Sequence, residues 1–501
     1  MKTINKTKKI ISLILCGLLV ATVLAGCGNE TTGEEDSPSL ASPDVAYEPL
    51  GESEETPVGV TPASPVEDAA TPTPKPRLES DSGVVTIPAA AAANFEAPQG
   101  NPSATAATVA TGANDFAFRL SASLVDTANG GNFLCSPYSV WLPLAALVNA
   151  TDAANKESLI AALGAAGISE DDINTAASRM LYDLTKQQMK EWAKEYGDEY
   201  SQDPLKIANA IFVGHDVTLK QDFADRFSQY YSGTAMTVDF SSQEATGLVN
   251  QWASDHTEGL ITDIIDRFDP RTVAAIANAI YFSDRWDVEF DPDQTVEETF
   301  YVRPGHLGTS PTNEVSVPFM VRDGGIMDYY EDDKVQAVNL DFATGGGMTI
   351  ILPGDGDATG LLKAMDSGYY DTIMDNAYQA TGKLMLPRFS FESGIMDLKE
   401  TLMGLGVPLF DEATAPLTGG LIEEDYDVWV GKAVQKAVIE VDEKGTTAAA
   451  VTLMIMMANG MMMPPAESFE MICDHPFVFV LYEETYDGGN QVLFTGVVNE
   501  P

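Results

Sequence analysis

The chain has 501 residues, more than one ordinary domain of roughly 100–200 residues needs, so a large domain with appendages or two to three domains is the starting expectation. Its 75 acidic and 28 basic side chains give a formal net charge of -47, which repels phosphate backbones and argues against nucleic-acid binding. Four His and four Cys leave little for multi-Cys metal sites or a disulfide scaffold, whereas 45% apolar residues can build a sizeable core.

Three segments differ in charge and composition. Residues 1–27 carry Lys2, Lys6, Lys8 and Lys9 and no acid, followed by the apolar run Ile10 to Leu24. A basic end and an apolar stretch too short for an ordinary membrane span read as a secretory signal. The sequence Leu24-Ala25-Gly26-Cys27 resembles the lipobox of bacterial lipoproteins, which implies cleavage and lipidation at Cys27 and anchoring to the outer face of a membrane. Cys135 and Cys473 then remain in the exported part, and the sequence leaves open whether they pair.

Residues 28–105 hold 14 acidic and two basic side chains and 12 of the 28 prolines, as in Thr71-Pro72-Thr73-Pro74-Lys75-Pro76. With few large apolar groups to offset the entropy of ordering, this stretch is expected to be an extended, solvated tether. Chain statistics give it a reach of about 50 Å.

Residues 106–501 contain 61 acidic and 22 basic side chains and read as one mixed domain. Helical patterns cover Asp115 to Ala128 and Ser136 to Asn149, the latter with Ser136 as cap and Pro137 at the first helical position. Strand patterns bounded by turns follow at Met348 to Leu352, Lys383 to Leu386, Phe477 to Tyr482 and Val492 to Val498. Strands and helices do not alternate regularly, so the expected class is α+β rather than a doubly wound sheet. Asp355, Asp357, Thr359, Gly360 and Asp366 fall on calcium-loop positions, but the last lacks the bidentate Glu and a strand precedes them; a helix-capping turn is the preferred reading.

Motifs for a nucleophile elbow, a zinc protease helix, a phosphate loop or a dinucleotide fold do not occur, and His215, His256, His306 and His475 lie in unrelated contexts. The informative stretch is 439–463. Ile439, Glu440, Val441 and Asp442 alternate as a half-exposed strand should, Gly445 marks a joint, and no charge occurs from Thr446 to Met463. Pro464-Pro465 and the β-branched Thr446, Thr447, Val451, Thr452 and Ile455 argue against a membrane helix. An exposed loop able to slide into a sheet fits better. Thr446, Ala448, Ala450, Thr452 and Met454 would share one face, and small uncharged groups there can be buried at little cost.

These residues carry a family resemblance. The hinge Glu443-x-Gly445-Thr446-x-Ala448-Ala449-Ala450-x-Thr452 resembles that of inhibitory serpins. So do Asn132 to Ser139, the Asn250, Trp252, Thr257 segment, Asn278 to Trp286, Leu386-Pro387-Arg388-Phe389, His475-Pro476-Phe477 and the closing Phe494 to Pro501, in order over nearly 400 residues.

The resemblance implies a serpin fold with three β-sheets, eight to nine helices and an exposed reactive-centre loop. It implies no catalytic group, no cofactor and no metal: a protease cuts the loop as bait, and the loop then enters the main sheet and drags the acyl-enzyme with it. Counting from Gly445 puts the cut bond at Asn459-Gly460, while Pro464-Pro465 favours Met461-Met462. The partner would accordingly be an asparagine-cleaving protease or an elastase-, subtilisin- or chymotrypsin-like one, acting on a monomeric inhibitor. Ser136, Ser139 and Asn278 match the family's sheet centre, and Trp286 and Glu443 match the place where the loop is admitted. Gln435 departs from the pattern, standing where a His is usual, although its amide can both donate and accept. A non-inhibitory serpin acting as a binding protein is the alternative.

Overall fold

The computed structural model describes residues 86–87, 103–186, 204–269, 271–302, 313–446, 468–485 and 489–501. All belong to one compact unit. Cys27, the hinge residues Ala448, Ala449, Ala450 and Thr452, and both candidate cut bonds, Asn459-Gly460 and Met461-Met462, lie outside the described residues.

The chain enters with β1 (Thr86–Ile87), within the stretch read as tether. Ser103 then caps α1 (Ala104–Leu124), its hydroxyl accepting the Ala106 amide at 3.1 Å. Next come β2 (Phe133–Cys135) and α2 (Pro137–Leu147). Pro137 takes the first helical position as expected, but Ser136 does not cap with its side chain; its hydroxyl donates to the Leu493 carbonyl instead. The helical layer continues with α3 (Ala153–Ala162), capped by Asp152, and α4 (Glu170–Leu184), capped by Ser169 with three acids in its first turn, where the helix dipole favours negative charge.

Strand β3 (Leu205–Gly214), α5 (Gln221–Tyr231), β4 (Gly233–Val238), α6 (Gln243–His256), β5 (Ala274–Phe282) and β6 (Asp284–Arg285) follow. Then come β7 (Val296–Val302), β8 (Asn313–Glu331), β9 (Val335–Asp341) and β10 (Gly347–Pro353). The acidic turn after β10 serves as a cap. Asp357 accepts the Gly360 amide at the start of α7 (Ala358–Ala364), and Asp366 accepts the Tyr369 amide at the start of α8 (Ser367–Asn376). Strands β11 (Tyr378–Pro387), β12 (Phe389–Glu392) and β13 (Met396–Asp397) lead to α9 (Lys399–Gly404). The remaining strands are β14 (Val434–Gln435), β15 (Val438–Val441), β16 (Gly445–Thr446), β17 (Ser468–Ile472), β18 (Phe477–Glu484) and β19 (Asn490–Val498).

Nine α-helices among the described residues surround three sheets, an α+β arrangement. Two of the sheets are joined. Strands β17, β11, β8 and β7 form one, and β8, β9, β10, β18, β19 and β2 the other, with the 19-residue β8 shared between them. Strands β10, β18 and β19 are largely apolar and buried on both faces, with Thr349 and Thr495 interrupting the runs, and Phe389 packs on Phe477 and Phe479 at the core.

The third sheet is divided. One part has the order β1-β4-β3-β5, the other β12-β15-β16-β6, and β13 pairs with β14 just before β15 in the chain. Strand β5 pairs with β3 over nine residues and β15 with β12 over four. Among the described residues, the facing edges of β5 and β15 are bridged only at one end, through β16.

Candidate functional site

The site is the gap between β5 and β15. Its lower part is a cavity of about 780 Å³ with β5 residues Ala274 to Ile280 on one wall and Val430 to Lys436 on the other. The floor is α2, through Ser139, Val140 and Leu144, and the cover is α6, through Val249 and Ala253. A smaller cavity of about 140 Å³ continues it upward between Ile280 to Phe282 and Val438 to Glu440, ending at Thr446. Ala274, Ala275, Ala277 and Ala279 keep the β5 wall small and apolar, while charged side chains such as Arg267, Asp269, Lys399 and Lys432 also line the larger cavity.

Helix α6 is held over the gap by the residues of the Asn250, Trp252, Thr257 segment. Asn250 Oδ1 accepts the Ile264 and Ile265 amides, and its Nδ2 donates to the Ile265 carbonyl, folding the following chain back beneath the helix. Thr257 closes the helix end by donating to the Ala253 carbonyl and accepting the Ile261 amide. Trp252 meets Phe212 of β3 edge to face.

At the upper end the hinge is already in the sheet. Thr446 pairs with Val441 on one side and Asp284 on the other, and Gly445 pairs with Arg285, all antiparallel. Gly445 has φ +150, and a Cβ built there would lie 2.1 Å from the Asp284 carbonyl oxygen, so only glycine fits. Thr446 is buried. Trp286 anchors this end: its amide donates to the Lys444 carbonyl at 2.8 Å, its indole Nε1 to the Asp442 carbonyl at 3.0 Å, and its ring stacks on Phe342 at 4.9 Å.

Glu443 fixes the turn beneath the hinge. Its buried carboxylate takes a bidentate grip from Arg388, with Nε at 2.8–2.9 Å and Nη2 at 2.5 Å, and a bond from the Thr295 hydroxyl. Burial alone would push this carboxyl up, but Arg388 and Thr295 outweigh it and hold it below the usual glutamate range. Sequence reading quoted Arg388 within the Leu-Pro-Arg-Phe motif without giving it this role. The signal was a charge placed directly after a proline-terminated strand.

At the centre, Gln435 occupies the position where a His is usual and bonds fully. Its Nε2 donates to the Ser136 carbonyl and the Ser139 hydroxyl, both at 2.7 Å, and its Oε1 accepts the Ser136 amide at 3.0 Å. Asn278 stands apart on the opposite wall and donates to Asn209 Oδ1 at 2.8 Å, while its own Oδ1 is buried without a hydrogen-bond partner among the described residues. Thus Ser136, Ser139 and Gln435 form one cluster, Glu443, Gly445, Thr446 and Trp286 another, and Asn278 faces the first across the gap. Cys135 and Cys473 are both buried and unpaired, and burial pushes both thiols far up.

The structure therefore has a sheet divided lengthwise, with Gly445 and Thr446 paired into it at one end. Residues 111–501 match the family model described as serpin (serine protease inhibitor), and the chain belongs to the serpin family. It is 29% identical over 398 residues to mouse alpha-1-antitrypsin 1-4 and 30% identical to mouse alpha-1-antitrypsin 1-2, in each case over 78% of this chain and 89% of the relative. Among solved structures it is similar in fold to the thermophilic serpin tengpin in its native state, with a TM-score of 0.66 at 23% identity over 80% of this chain and 96% of that one. It is also similar to human thyroxine-binding globulin, with a TM-score of 0.62 at 22% identity over 79% of this chain and all of that one. The family is one of protease inhibitors rather than enzymes.

Proposed function

We propose that this serpin is an inhibitory one, which traps a serine protease, or a cysteine protease of similar reach, when the stretch beyond Thr446 is cut and enters the gap. The observation that carries the reading is the matched register of the two walls. Thr446 is opposite Asp284 and Val441. If the inserted stretch kept this step, Ala448 would come between Phe282 and Ile439, Ala450 between Ile280 and Ala437, and Thr452 between Asn278 and Gln435. Small residues would fall where the gap is narrow, and a hydroxyl would meet the Asn278 oxygen that lacks a donor. Each admitted residue satisfies backbone groups on two strand edges at once.

The resemblance of 1–27 to a lipoprotein signal supports attachment through Cys27, with 28–105 as spacer on the exported side of a bacterial envelope. Asn459-Gly460 and Met461-Met462 are the two candidate bonds. The likeness to thyroxine-binding globulin, solved with thyroxine bound, gives the second reading, a carrier that is not an inhibitor. The small, uncharged residues from Thr446 to Thr452 and the pairing of Thr446 within the sheet favour the first. Incubation with a panel of serine and cysteine proteases tests it. An SDS-resistant adduct is expected, and the mass of the released C-terminal peptide gives the bond. Cleavage by every protease without an adduct would establish the carrier reading instead.

A further inference from the structure

The lower cavity is lined by more than the two strand walls. Phe268, Leu402, Phe410, Leu421 and Trp429, from the chain that flanks those walls, contribute to it, and Leu402, Phe410 and Leu421 are buried. The cavity runs beside seven residues of β5, Ala274 to Ile280, a length of about 20 Å at 3.3 Å per residue. At its upper end the gap has the width of the single strand β16. A volume of about 780 Å³ lies within the range of ligand sites, and a slot of this outline suits a linear chain better than a fused ring system.

Charge on the lining is distributed unlike charge in the chain as a whole. Five of the 28 basic side chains line the cavity, against four of the 75 acidic ones. Most of these groups are engaged. Arg271 Nη2 lies 3.2 Å from Asp269 Oδ2 and its Nη1 3.9 Å from Glu412 Oε1, Lys436 pairs with Glu392 at 3.1 Å, and Asp397 accepts the Lys399 amide at 3.0 Å. Arg267 lies near Asp269 without pairing with it. Among the described residues, Arg267, Lys399 and Lys432 therefore make no ion pair, and Asp427 is the one carboxylate on the lining that is not engaged. An apolar slot with three uncompensated cations on its lining, in a chain of net charge -47, has the chemistry of a site for an anion with an apolar tail.

We propose that the lower cavity binds a free medium- to long-chain carboxylate, its alkyl chain along the β5 wall and its head group held by Arg267, Lys399 and Lys432. Burial of the chain against the β5 alanines and the flanking Leu and Phe side chains raises affinity about fourfold per methylene. The cations select the acid over the matching alcohol. A chain lying between Ala274 to Ile280 and Val430 to Lys436 occupies the space that the cut loop would enter, so the bound acid hinders admission of the strand. That consequence rests on the inhibitory reading above; the binding itself does not.

Titration calorimetry on the intact full chain with octanoate, decanoate and dodecanoate, each below its micelle-forming concentration, tests the site. One acid per chain is expected, with affinity rising about fourfold per added methylene and decanol binding about tenfold more weakly than decanoate. Arg267 and Lys432 are exposed, so replacing both, Arg267→Gln with Lys432→Gln, should leave the fold intact, weaken decanoate about tenfold and leave decanol unchanged. In the protease assay, decanoate at about four times its Kd leaves about a fifth of the chains free and should lower the yield of adduct about fivefold without slowing cleavage. Equal affinity for decanoate and decanol, an unchanged affinity in the double variant, or several weak sites in place of one would overturn the site. Saturation that leaves the adduct yield unchanged would overturn the hindrance. If no adduct forms even without decanoate, the inhibitory reading fails and the hindrance with it, while the calorimetry decides the site by itself.

Discussion

Glu443 is the residue on which the hinge turn depends, and the ion pair it makes is unequal: the carboxylate is buried and Arg388 is 44% exposed. Solvent at the Arg388 side weakens the pair, so Glu443→Gln should cost about 1–2 kcal/mol rather than the several expected of a fully buried pair. The carboxyl is held down in the fold. Its contribution is therefore complete above the unfolded value of roughly 4.3 and is lost as pH falls through the lower folded value. Melting curves of the two proteins should lie apart at pH 7 and converge below about pH 4. Gln435 gives a second residue-scale expectation. Gln435→Ala leaves the Ser136 amide and Ser139 hydroxyl buried with a partner lost, and denaturant titration should show a loss of about 2–4 kcal/mol. Gln435 was legible in the sequence as a departure whose amide can both donate and accept. It could not show that Asn278 bonds to Asn209 instead, because a side-chain amide chooses its partner from whatever the fold brings within 3 Å.

At the scale of elements, the hinge was the most readable part of the chain. Alternation in Ile439, Glu440 and Val441 and the glycine after them mark a strand, a turn and a joint, and β15, the 442–444 turn and β16 follow that order. The four strands expected at Met348, Lys383, Phe477 and Val492 are all present, each extended by two to six residues where neighbouring strands supply further pairing. Two features were less visible. Helix α1 starts at Ala104, well before Asp115, because its first turns are Ala and Thr with no apolar period. Strand β1 is too short for any pattern and owes its existence to the open edge of β4, with Ile87 opposite Ala235. The hinge also yields an element-scale expectation. Thr446→Arg would force a charge into a position that is 2% exposed and block further insertion. Gel assays should then show the variant cut as readily as wild type, with the adduct reduced at least tenfold.

The whole chain combines a strongly acidic composition with one uncharged stretch, Thr446 to Met463. Whole-chain composition hides this contrast, since one stretch of 18 residues without charge barely alters a net charge of -47. Three-dimensional assembly, by contrast, was not legible: nothing in the pattern of β5 or β15 says that their facing edges stay apart, because both read as ordinary strands. On the inhibitory reading proposed above, the folded state is short of its lowest energy, with one strand still to add. The most direct measurement is the melting temperature before and after a protease nicks the chain between 447 and 465. Insertion of about ten residues with paired backbone on both sides should raise it by more than about 10 °C. An unchanged or lower melting temperature in the nicked protein would contradict the account.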